Sequence, residues 1–166
     1  ESWTVFTPLQ ISTSAVFSGR AGTNQTDVAN NWYYNGAERR INDGYAARYT
    51  QVSAGDHLFY TAGTDDADST ISFGTAKLTI LNNGNVGIGI SPGTSQKLHV
   101  NVASDVNFTL SANSSDLRIN AVNNAIDTAI GLEFNGSAYE FLGTGATVFG
   151  GNINVTGDIN SVSVTD

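Results

Sequence analysis

Leu78-Thr79-Ile80-Leu81-Asn82-Asn83-Gly84-Asn85-Val86-Gly87-Ile88-Gly89-Ile90 decides how this chain is read. Leu78 and Ile80 continue an alternation begun at Ala76, and Asn82-Asn83-Gly84-Asn85 supplies the residue types that accept turn conformations. Val86, Ile88 and Ile90 then recur with period two, the period of a strand and not of a helix. Gly87 and Gly89 fall between them, leaving one side of that strand almost without side-chain volume. Something must approach the backbone closely there, or the strand must bend.

The same grammar repeats on both sides. Upstream, Asn31-Trp32-Tyr33-Tyr34 runs into Asn35-Gly36, the pair that favours a type I′ hairpin turn, and Ile41 ends the return strand. Asp43-Gly44 offers a second turn before Tyr45-Ala46-Ala47-Arg48-Tyr49, Ala54-Gly55-Asp56 and the strand His57-Leu58-Phe59-Tyr60. The pattern is a meander of short antiparallel strands. The first 30 residues read as one or two strands, interrupted at Pro8. Downstream, residues 98–102, 106–110, 117–119, 129–134 and 139–142 read as further strands, whereas 121–130 is open to a turn or two of helix. An internal echo links Tyr33-Tyr34-Asn35-Gly36-Ala37 to Glu133-Phe134-Asn135-Gly136-Ser137, and Gly84-Asn85-Val86 to Gly151-Asn152-Ile153. Two diverged copies of one β module and a coincidence of common turn chemistry both account for it.

Composition supports β structure. Of 166 residues only 13% are charged, half the usual share, and Gly, Ser, Thr and Asn fill the difference. The net charge of −8 with seven basic residues lacks the basic stripe of a nucleic-acid binder. No apolar run approaches the roughly 20 residues of a membrane-spanning helix. With no Cys, disulfides and thiolate chemistry are excluded. A first residue other than Met is expected of a processed or excised piece of a longer chain.

Gly84-Asn85-Val86-Gly87-Ile88-Gly89, followed by Ser91-Pro92 and Lys97-Leu98-His99-Val100, resembles a segment recurring in phage tail fibres, tailspikes and neck appendages. There it lies shortly before a self-cleaving C-terminal chaperone of the endosialidase type. Tyr45–Tyr49, Asp56–Tyr60 and Gly131–Ser137 are similar at the level of pattern, and the first 30 residues have no clear counterpart. Ile90 stands where such segments often have Thr. The resemblance implies a homotrimeric, all-β, partly intertwined fibre segment in the virion tail. It implies other tail proteins as partners through a preceding part, and a processing junction near Asp166, with the chaperone's catalytic residues beyond it. The expected division is an aromatic-rich module at 1–77, a connecting segment at 78–100, a second module at 101–150 and a terminal stretch at 151–166. Small residues beside alternating aliphatics suit three chains meeting closely at one axis.

The candidate sites are few. Trp32, Tyr33 and Tyr34, with Tyr45, Tyr49 and Tyr60 nearby, are candidates for stacking on a host glycan; ordinary core packing is the plainer reading. Asp65, Asp66 and Asp68 lack the spaced ligand set of a calcium loop, and His57 and His99 lack zinc-ligand spacing. No cofactor is expected. Glycoside cleavage needs two carboxylates, roughly 5–9.5 Å apart. Glu38, Asp43, Glu133 and Glu140 are the candidates near aromatic residues, and nothing in the sequence pairs them. The expected function is host attachment without catalysis, with a polysaccharide depolymerase or a passive shaft as alternatives.

Overall fold

The computed structural model describes residues 6–134. The masses of chain gather into one unit at Glu1–Leu132 and a second at Glu133–Asp166, and the architecture below is that of the first. It is all β, with no helix among the described residues. The strands are β1 (Phe6–Ile11), β2 (Ala15–Arg20), β3 (Thr26–Asn30), β4 (Tyr33–Tyr34), β5 (Glu38–Arg39), β6 (Gly44–Gln51), β7 (His57–Asp65), β8 (Leu78–Ile80), β9 (Val86–Ile88), β10 (Gln96–Ala103), β11 (Val106–Asn113) and β12 (Asp116–Val122). Ten of them form one sheet in the order β1-β2-β3-β6-β7-β8-β9-β10-β11-β12, and β4 pairs with β5 in a separate ladder. Pro8 lies inside β1, where its missing N–H is tolerated because β1 is an edge strand. The expected strand at 139–142, the stretch 151–166 and the second copy of the Asn-Gly hairpin fall largely or wholly outside the described residues.

Two turns differ in detail from expectation. The hairpin at Asn35-Gly36 forms, but Tyr34 pairs with Glu38, so the loop has three residues and only Gly36 takes positive φ, at 107°. The return strand ends at Arg39, before Ile41, because Arg40 turns inwards. Its buried guanidinium donates to the carbonyls of Gly44, Gly63 and Thr70 and to Ser69 Oγ, fixing the end of β7 and the turn that follows it. Residues 121–130 are not helical: β12 runs to Val122, which then bridges to Ala129 across a turn. Asn123 stabilises that turn, donating to the Asp127 carboxylate and accepting from the Asp127 and Thr128 amides.

All strand pairs in the large sheet are antiparallel except β9 with β10. Parallel neighbours ordinarily need a crossover of a dozen or more residues. Here residues 89–95 make the return, and the residues around Gly87 show how. A Cβ on Gly87 would lie 2.2 Å from the Ile90 carbonyl oxygen and 2.6 Å from Pro92 Cδ, so the return loop lies directly on this backbone. Asn85 holds the far side of the loop, its side-chain amide donating to the carbonyls of Gly93 (2.9 Å) and Thr94 (3.2 Å). The side-chain-free face seen in the sequence is therefore filled by the chain itself.

Cross-strand register sets the two faces of the sheet. On one, direct partners run Leu9, Phe17, Val28, Tyr49, Phe59, Leu78, Ile88, Val100, Phe108 and Ala121, one residue from each strand. On the other they run Ser18, Asp27, Thr50, Leu58, Thr79, Gly87, His99, Thr109 and Asn120. The polar row is the covered one: Ser18, Asp27, Thr50, Thr79, His99 and Thr109 are buried. Over β1–β7 the cover comes from chain near the β4–β5 hairpin and near Ile71, closing a core of Phe6, Val16, Ala29, Trp32, Ala46, Ile71 and Phe73. Further along, Asn107 donates to the Val122 carbonyl and to Asn124 Oδ1, and His99 Nε2 lies 3.2 Å from Asn107 Oδ1. Members of the apolar row, among them Leu9, Phe17, Val28, Phe59 and Ile88, are exposed.

Gly87→Ala is expected to lower stability by roughly 1–3 kcal/mol, as overpacking against backbone does. The check is the urea midpoint at unchanged slope. Gly63→Ala is the control, since its Cβ would meet nothing within 4 Å. The Asp127 carboxyl is held below its ordinary value of 3.8 by the hydrogen bond from Asn123 and then that from Thr128. Because the folded value is depressed, its support for the turn is complete above the unfolded value and is lost as pH falls through the folded one. A carboxyl NMR titration should place its midpoint below 3.8, and Asn123→Ala should move it upwards.

Candidate functional site

The covered face holds a cavity of about 350 Å³ between β1, β2, the β4–β5 hairpin, β6 and β7. Aromatic walls come from Phe6, Tyr34 and Tyr60, and polar groups from Arg20, Gln25, Glu38, Arg48 and Thr50. Strand alternation explains the set. Arg48 pairs directly with Tyr60, and Phe6 with Arg20, so each pair projects to the same side. Phe6 meets Tyr34 edge-on with ring centroids 5.4 Å apart, and the Arg20 guanidinium lies 5.8 Å from the Phe6 ring centre.

Arg48 organises the floor. Its guanidinium carbon is 5.4 Å from the Trp32 ring centre, 5.2 Å from that of Tyr60 and 4.9 Å from that of Phe73. These are distances at which a cation is attracted to a ring quadrupole. One terminal nitrogen donates to both oxygens of Glu38, at 2.6 and 2.8 Å. Its Nε faces Asp27 at 3.7 Å without hydrogen bonding. Asp27 is fully buried and accepts from Thr50 Oγ1 at 2.6 Å and Gln25 Nε2 at 3.0 Å. Glu38 also accepts from Trp32 Nε1. Two carboxylates thus share one arginine, and both are engaged by donors of the fold.

The residues singled out in the sequence separate here. Tyr34 stands on the cavity wall. Trp32, 0% exposed, packs edge-on against Phe6 at 5.2 Å beneath the cavity, and Tyr33 is buried with its hydroxyl donating to Asp68. Tyr60 joins the cavity, whereas Tyr49 stacks with His57 and meets Phe59 at a tilt on the sheet's other face. Glu38 is in the cavity; Asp43 caps the 66–68 turn by accepting from the Ala67 amide. Glu133 belongs to the second unit, and Glu140 and Asp166 lie outside the described residues. Asp65, Asp66 and Asp68 do not converge: among the described residues no group of three or more potential ligands could hold a metal ion. Phe6, Arg20, Gln25, Arg48, Thr50 and Val52 line the cavity without having been singled out by sequence reasoning. One signal was present at Arg48, a lone charge flanked by Ala47 and Tyr49 in a strand-like run.

The chain matches no protein-family model, no curated protein and no solved structure. The chemistry of the cavity therefore rests on its own residues: flat rings beside fixed donors and acceptors. That combination suits a neutral or weakly charged polyhydroxylated ligand, whose C–H faces stack while its hydroxyls hydrogen-bond.

Removing Arg48 should leave Asp27 and Glu38 without their counter-charge. Arg48→Met is expected to cost about 3–5 kcal/mol in denaturant unfolding, the scale for breaking a buried pair from one side. Arg48→Lys should recover little, because a single ammonium cannot face Asp27 and Glu38 from separate nitrogens as the guanidinium does.

Proposed function

We propose that this chain is the distal part of a homotrimeric phage tail fibre that attaches to a glycan on the host cell surface, without cleaving it. Its place is the virion tail. The attachment half of the reading rests on one observation, the cavity that sets the Tyr34, Tyr60 and Phe6 rings beside Arg20, Gln25 and Glu38. The fibre half rests on the likeness of residues 84–100 to fibre segments that precede a self-cleaving chaperone.

A depolymerase is the competing reading, favoured by the presence of Glu38 in that cavity. Retaining and inverting glycosidases both need a second carboxylate reaching the scissile bond. Asp27, the other carboxylate held by Arg48, is fully buried and hydrogen-bonded by Thr50. Glu38 itself accepts from both Arg48 and Trp32. Binding without turnover suits these two acids better than catalysis.

A panel of bacterial surface polysaccharides and their oligosaccharides separates the readings. Binding is expected, with no release of reducing ends. Tyr34→Ala and Arg20→Ala should each weaken it about tenfold, or ~1.4 kcal/mol. Release of reducing ends that Glu38→Gln abolishes would establish the depolymerase instead. No binding to any glycan would leave a passive shaft.

A further inference from the structure

The large sheet has its polarity reversed. Its polar row is buried, and the row one residue over is apolar from Leu9 to Ala121 across all ten strands. A second row on that same face is polar but uncharged at Thr26, Gln51 and His57, and apolar from Ile80 through Val86, Leu98 and Leu110 to Ile119. Neither row contains Asp, Glu, Lys or Arg, in a chain of net charge −8. Phe17 is 53% exposed, Ile119 51% and, further out on the same face, Tyr45 and Leu117 are each 73% exposed. A shallow depression of about 420 Å³ opens in this face, with Val28, Tyr49 and Phe59 in its wall.

The exposed members amount to on the order of 1,000 Å², beyond the few hundred Å² that monomers tolerate and enough for one side of a standard interface of about 800 Å² per partner. The occupant must be long, apolar and without charge to match. A charged partner would find no counter-charge here, and a small ligand would cover a fraction of ten strands. A second copy of the chain brings a face of the same length and neutrality. Two copies meeting there keep their like charges away from the contact.

We infer that this uncharged apolar face is where copies of the chain pack against one another. The inference rests on the self-assembling half of the function proposed above and needs no glycan. Its polar face, with the cavity, stays outside the contact.

The test is the solution mass of the full chain by light scattering, with Val28→Lys and Ile88→Lys as variants. Wild type should be a multiple of 17.4 kDa. Each variant should shift at least tenfold in dissociation constant towards a folded monomer with unchanged circular dichroism. Because the chain has no Cys, Ile88→Cys gives a second readout that does not depend on the charged variants folding. Its thiol should react slowly when concentrated and quickly on dilution, whereas Asp127→Cys reacts quickly throughout. A monomeric wild type overturns the inference, and so does protection of Cys at 88 that ignores dilution, which would mean cover from within the same chain or by another occupant. Assembly that both lysine variants leave intact overturns it as well. Glycan binding measured on the same samples tells a failure of this interface from a failure of the cavity.

Discussion

Everything in the first unit follows from burying polar side chains on one face of a single sheet. Each buried polar group must find a partner, because desolvating it unpaired costs several times what a hydrogen bond returns. The chain meets most of this demand by folding short segments back over its own strands, with Ser18 Oγ, His99 Nδ1 and Arg48 Nε as the exceptions. Asn85 holds the 89–95 return, Asn107 holds the end of β12, Arg40 holds the end of β7 and Arg48 holds Glu38. Specificity of register follows as well. A one-residue slip of β3 would exchange Asp27 for Val28 and strand a carboxylate on the uncharged side.

The strands themselves were legible where the code is local. Val86 and Ile88 alternate as read, the Asn35-Gly36 hairpin stands where it was expected, and the all-β class needed only composition and period. What surrounded those strands was not legible. The space beside Gly87 suggested a neighbouring chain, yet Ile90 and Pro92 of the same chain fill it. A seven-residue parallel return has no signature in the sequence, since its stability comes from Asn85 reaching across it. The 121–130 stretch was open to helix because Ala and Ile permit it; the Asn123 side chain instead satisfies the amides of a turn.

The site was legible only in part, and for a related reason. Aromatic density around residues 32–34 marked the right neighbourhood, but it could not say which rings line a surface and which lie beneath it. Trp32 is the platform on which Arg48 rests, and Tyr34 is the ring that faces the cavity. Glu38, which nothing in the sequence paired, is linked through Arg48 to Asp27, an acid that the sequence did not single out. The pairing of β3 with β6 and the placing of the separate β4–β5 hairpin beside them bring Asp27, Glu38 and Arg48 together, and no spacing rule anticipates it.

Pro8 carries a further consequence. A broad sheet with an apolar face is at risk of growing sideways, strand upon strand, into a fibrillar aggregate. Among the described residues β1 ends the sheet on one side, and Pro8 there removes a donor that an incoming strand would need. On the other side β12 carries Asp116 and Arg118, and Ala129 bridges to Val122 over the end of that edge. With both margins blunted, the apolar face is not accompanied by an open edge that would invite strand-by-strand growth.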